Sequence, residues 1–139
     1  MFARVEFGET RFFELPCVYL MAHEQDGEHR IHYAGQTHSL KDRFSGHHQM
    51  KAAVAGGATH VLVLIIRSEQ DRRAFETMLR YEFRPPLNEE DVPTHIQAWR
   101  AAQHCGKEDL AARAKQAHMA GASTMSPPRY AEPVKVAKG

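Results

Sequence analysis

The sequence predicts an α/β fold: a small three-stranded antiparallel sheet flanked by helices, a ββαβα core with extra C-terminal helices. Three observations predict it. Two strand-like runs, Cys17–Ala22 and Arg30–Gly35, stand on either side of a turn signal at Asp26-Gly27. After Gly35 the apolar period lengthens from strand spacing to helix spacing. Then an apolar run, VLVLII at 61–66, leads into a second helical period that stops at Pro85-Pro86.

Each element has its own signal. The opening FARVEFGETRFFELP alternates Val5 and Phe7 with polar neighbours, which predicts a short hairpin or extended arm with Gly8 in its turn. Strand, Asp-Gly turn and strand over 17–35 make an antiparallel hairpin. Ser39 is a good N-cap, and Leu40, Phe44 and His47 follow at helical spacing until Gly56-Gly57 ends that helix. Residues 59–66 are apolar at nearly every position, which predicts a strand buried on both faces. Ser68 with Asp71 resembles a capping box opening a helix to about Phe83, striped by Phe75, Met78, Leu79 and Phe83. Beyond Asn88, Thr94 is placed to cap a helix that docks through Ile96 and Trp99, and an Ala-rich helix over Lys107–Met119 follows by propensity. The Pro-rich residues 121–139 read as a flexible tail. The division is therefore 1–92 as the main domain with its N-terminal extension, 93–120 as accessory helices and 121–139 as tail.

Composition narrows the class. A chain of 139 residues, 42% apolar and 25% charged, is one ordinary globular domain. The formal net charge is +1, so any contact with nucleic acid must use a local patch of cations. Cys17 and Cys105 form neither a disulfide framework nor a CxxC pair. Charged residues interrupt the first sixteen positions and the longest apolar run is too short to span a bilayer. No membrane is expected, and the cytoplasm is the default compartment. Neither a GxxxxGK[ST] loop nor a GxSxG elbow is present to support nucleotide hydrolysis or a serine hydrolase.

The residues able to do chemistry lie between Cys17 and Asn88. Arg43 and His47, four apart in the first predicted helix, would share the face that holds Leu40 and Phe44. A guanidinium there suits a phosphate, although an ordinary salt bridge and a satisfied half-buried histidine explain the pair as well. Glu76 suits a single Mg²⁺, or else a salt-bridge lattice with Arg72 and Arg80 along a solvated face. Tyr19 and Tyr33, in adjacent strands, are either core rings or proton relays. A phenol acting as a base would need its pKa of about 10 lowered by nearby cations. Gly35 permits close approach of backbone to phosphate, or simply a turn. Ten histidines, with His29, His32, His47 and His48 close in sequence, read as scattered surface imidazoles rather than a metal grid.

Taken as an ordered set, these residues resemble the GIY-YIG nuclease family. CVY at 17–19 stands for the first motif and YAG at 33–35 for the second. Arg43, His47, Glu76 and Asn88 then follow at the family's later landmarks, so the resemblance covers about half the chain. It departs at Cys17 in place of the first glycine, at Ala34 in place of an isoleucine, and in a somewhat long interval between motifs. The resemblance implies a divalent-metal-dependent endonuclease cutting DNA with one Mg²⁺ (or Mn²⁺) on Glu76. Tyr19 would be the general base or relay, supported by Tyr33. Arg43 would bind and stabilise the reacting phosphate near Gly35, His47 would assist proton transfer, and Asn88 would orient neighbours or brace the hairpin. The rival expectation is a catalytically silent module of the same fold that binds nucleic acid or protein.

Overall fold

The computed structural model describes residues 2–105. The expected helix over 107–119 and the tail at 121–139 lie outside the described residues. Strands β1 (Ala3–Glu6), β2 (Cys17–Gln25), β3 (Glu28–Thr37) and β4 (His60–Ile65) form one sheet in the order β1-β4-β2-β3. All three pairings are antiparallel. The α/β class is as expected, but the sheet has four strands rather than three. The opening segment is not a hairpin with Gly8 at its tip. It is an edge strand laid along β4, followed by a 3₁₀ helix at Phe7–Phe12 that contains Gly8. Four alternating residues announce a strand, but nothing in them names its partner.

The β2–β3 hairpin follows its turn chemistry. Asp26 and Gly27 both adopt positive φ, 53° and 78°, which suits a tight two-residue connection between twisted strands. Register slips between Met21 and Ala22: Met21 pairs with Tyr33 and Ala22 with Ile31, leaving His32 as the extra residue of a bulge. β4 lies between β1 and β2, which accounts for its apolar residues at both parities.

Helices cover both faces. α3 (Glu69–Phe83) packs Phe75, Leu79 and Phe83 on Val18, Leu20, Ile31, Leu62 and Leu64. Ser68 caps it, accepting from the Asp71 N–H at 3.2 Å. The buried Arg72 secures its first turn: its guanidinium donates to Gln36 Oε1 (2.9 Å) and to the Ile66 and Arg67 carbonyls (3.2 and 2.8 Å). On the other face, Tyr19, Met21, Tyr33, Val61 and Val63 pack with Leu40, Phe44 and Ala53.

Two helical expectations change. The single helix expected over 39–56 is two short ones, α1 (Leu40–Phe44) and α2 (Met50–Ala55), so Arg43 and His47 do not share one helix. The chain leaves helical geometry after Ser45. The last described helix, α4 (His95–Cys105), has the expected cap: Thr94 Oγ1 accepts from Gln97 N and Gln97 Oε1 from Thr94 N. It docks on the core through Ala101, however, and Ile96 and Trp99, expected as its docking face, are 61% and 58% exposed. Among the described residues no helix is long and apolar enough to cross a membrane.

Candidate active site

Register puts the two tyrosines together. Tyr19 pairs with Gly35 and Met21 with Tyr33, so both rings rise from the same face on adjoining strands, with centroids 6.2 Å apart. Gly35 leaves the space that the Tyr19 ring takes. A Cβ at position 35 would stand 2.6 Å from Tyr19 Cζ and Oη and 3.0 Å from Tyr33 Cε2. The close approach at this glycine is therefore made by a tyrosine of the site itself. Phe44 closes the other side of the Tyr19 ring edge-on at 5.3 Å.

His47 comes to the same place from the α1–α2 turn. Its Nε2 lies 2.7 Å from Tyr19 Oη, and its Nδ1 accepts the Gln49 backbone N–H at 3.0 Å. That second bond fixes the tautomer. With Nδ1 accepting, the neutral ring carries its proton on Nε2 and donates it to the Tyr19 oxygen. The Tyr19 hydroxyl is left with its own proton to give elsewhere. Burial, helped by the charges of His48 and Arg43, lowers the His47 pKa to about 4, so the neutral form prevails near pH 7.

Burial raises the Tyr19 and Tyr33 pKa values, and the Arg43 charge opposes the shift at both. In this arrangement the neutral phenol is thus the favoured form, contrary to the lowering that a tyrosine base requires. Arg43 itself is exposed, and its side chain makes no hydrogen bond or ion pair among the described residues. Its charge nonetheless acts on Tyr19, Tyr33, His47 and Glu76 together, which places one uncommitted cation beside the whole group.

Glu76 reaches this group from α3. Its carboxylate is mostly buried, at 14% side-chain exposure, and pairs with Arg80 Nη2 at 2.9 Å. Burial raises its pKa, while Arg80, Arg73 and Arg43 pull it down. Arg72 takes no part, its donors being spent on Gln36 and two carbonyls, so the lattice of two flanking arginines is only half present. Among the described residues no group of three or more His, Cys, Asp or Glu side chains could hold a metal ion. A lone hard carboxylate still matches Mg²⁺, which commonly takes one or two protein oxygens and completes its shell with water and phosphate. Arg80 would then share Glu76 with the ion.

Asn88 is buried in the 3₁₀ turn Pro86–Asp91 and grips the outer edge of β3. Its Oδ1 accepts from Ala34 N (2.7 Å) and its Nδ2 donates to Ala34 O (3.1 Å). A side-chain amide thereby does the work of a neighbouring strand, directly between Tyr33 and Gly35. Of the two roles open to Asn88, it braces the hairpin.

The structure also adds residues. The Gln49 N–H was not in the expected set, nor was His48, which stacks on His47 at 5.2 Å with ring planes 7° apart, whereas Arg80 is the partner of Glu76 that the salt-bridge reading named. A double histidine just after a glycine was the available signal. The reading of the histidines as scattered surface rings is corrected: His29, His32, His47 and His60 are all buried, and they associate in pairs. His23 Nδ1 meets His32 Nε2 at 2.7 Å on one face, and His60 Nε2 meets His29 Nδ1 at 3.3 Å on the other. Comparison with family models, with curated proteins and with solved structures gives no match to this chain.

Proposed function

We propose that the protein is a divalent-metal-dependent endonuclease that hydrolyses phosphodiester bonds in DNA. The observation that carries the reading is the contact of Tyr19, Tyr33 and His47, with Glu76 and Arg43 near enough for their charges to act on both tyrosines. Those residues come from β2, β3, the α1–α2 turn, α3 and α1, and a purely structural need would not gather them around an unpaired guanidinium. In this reading Arg43 binds the non-bridging oxygens, where a planar cation offers two donors at once. Glu76 holds the ion, which when bound polarises the phosphate. His47 donates to the Tyr19 oxygen, so it stabilises negative charge there if Tyr19 yields its proton to solvent or substrate. Asn88 holds Tyr33 and Gly35 in register.

The silent binding module keeps one observation in its favour, because Arg80 already engages the carboxylate that would take the metal. A cleavage assay on plasmid and branched DNA separates the two. The wild-type chain should cut in Mg²⁺ and stop with chelator, and Glu76→Gln should lose cutting by about 10²-fold or more while retaining its fold and DNA affinity. A well-folded Glu76→Gln protein that still turns over would show the carboxylate to be structural. A wild-type chain that binds DNA and never cuts would establish the binding module.

A further inference from the structure

The Tyr19–His47 pair leaves one requirement of the proposed reaction unmet. Cleaving a phosphodiester expels an alkoxide, which needs a proton as its bond to phosphorus breaks. His47 is badly placed to give one. Both its ring nitrogens are engaged, by Gln49 N–H and by Tyr19 Oη, and it stays neutral near pH 7. Tyr19 is 1% exposed with its hydroxyl against His47. Glu76 is paired to Arg80.

The remaining imidazole in contact with this group is His48. Its side chain is exposed and makes no hydrogen bond among the described residues, so both ring nitrogens are open to solvent and substrate. It is nevertheless held in place. One face lies on the His47 ring at 5.2 Å and 7°, and the Tyr33 ring meets it edge-on at 6.3 Å and 87°. The titratable groups packed against it are these two, His47 from its own turn and Tyr33 from β3. His48 thus sits at the mouth of the site, beyond the buried His47, with its proton-bearing edge free.

We infer that His48 is the general acid of this site, giving its proton to the oxygen that leaves phosphorus. The inference rests on the nuclease reading. A water oxygen forms the new bond to phosphorus and sheds its surplus proton to solvent through the site. The bond from phosphorus to the leaving oxygen breaks with its electron pair on that oxygen. The His48 N–H proton moves onto it, and the neutral imidazole recovers a proton from solvent. His47 then acts as a positioning residue, its ring setting the plane of His48.

The test compares an oxygen with a sulfur leaving group. A DNA duplex is cut by wild-type protein and the site mapped; the same duplex is then made with the leaving oxygen of the scissile phosphate replaced by bridging sulfur. A thiolate leaves without a proton, so the acid becomes dispensable. His48→Ala should cut the normal duplex about 10²-fold more slowly in single turnover, within the span of general acid catalysis. It should cut the sulfur-bridged duplex within a few-fold of wild type. His48→Asn, which can hydrogen-bond but carries no acidic proton, should behave the same way. Equal losses on both duplexes would make His48 a packing or binding residue, and unchanged cutting of the normal duplex would remove it from the site; either overturns the inference and leaves the nuclease reading standing. If wild-type protein cuts no DNA under any divalent-metal condition, the nuclease reading itself has failed.

Discussion

At the scale of single residues, the tightest constraint is the one between Gly35 and Tyr19. A methyl group at position 35 would have to share space with the Tyr19 hydroxyl, 2.6 Å away, and the ring above it is wedged by Phe44. Neither the backbone of a paired strand nor a fully buried ring yields cheaply. Gly35→Ala should therefore lower stability by about 1–3 kcal/mol, as overpacking does, and pull Tyr19 Oη off His47. Two measurements check this: the denaturant midpoint, and the ¹⁵N resonances of His47, which report which nitrogen carries the proton. Wild-type protein should show Nδ1 as the bare acceptor and Nε2 as the protonated nitrogen. If Gly35→Ala melts like wild type with that signature intact, the packing described around Tyr19 is wrong. The choice of Tyr19, Tyr33, Arg43 and Glu76 as candidates was legible as a residue set, but their meeting was not. Tyr19 and His47 are 28 positions apart, and no local period announces the bond between them. His48 was visible only as the second of a double histidine after Gly46, a signal that names no role.

Among the elements, the shared end of β2, β3 and β4 has an unusual composition, with two histidine pairs on opposite faces of the sheet. Each pair needs one ring to donate and the other to accept, so each requires at least one neutral imidazole. Burial lowers the pKa of His32, His47 and His60 to about 4, and that of His29 in the same direction. An unfolded histidine binds its proton near pH 6.5, so between about 6.5 and 4 the unfolded chain holds more protons than the folded one. Stability is then complete above the upper value and drains away as pH falls toward the lower. The denaturant midpoint should drop steadily between pH 7 and pH 4, and His32→Gln should make that drop shallower. A flat midpoint across this window would refute the linkage. Here the sequence spoke unevenly. Asp26-Gly27, Ser39, Ser68 and Pro85-Pro86 mark real boundaries because turn and cap chemistry is local. The break between α1 and α2 was missed because Leu40, Phe44 and His47 keep helical spacing across it. The burial of the histidines was missed because a neutral imidazole suits a core as readily as a surface.

For the molecule as a whole, the sheet is a partition with a separate apolar core on each side, and the candidate site draws on both. Tyr19, Tyr33 and Phe44 belong to the core beneath α1 and α2, while Glu76 comes from the helix that covers the opposite face. No fragment of the fold could present the group alone. The same architecture has a consequence in time. β4 lies near the centre of the sheet, yet it is the last strand among the described residues, and Ala3 at the opposite end must pair with Val63. The β2–β3 hairpin can close locally within moments, but β1 must wait through 60 residues of chain for a partner, and closing so long a loop is a late entropic expense. β1 is then the last of the described strands to settle, latching a sheet whose other three strands are already joined. Val5, 2% exposed beneath that latch, gives a way to time it. Val5→Ala should cost about 2 kcal/mol, and nearly all of it should emerge as faster unfolding, with the refolding rate barely changed. Slowed refolding would instead place β1 in the nucleus. With the latch late, an opened molecule lets go first at its N-terminus, exposing the apolar edge of β4 while the tyrosine pair on β2 and β3 is still assembled.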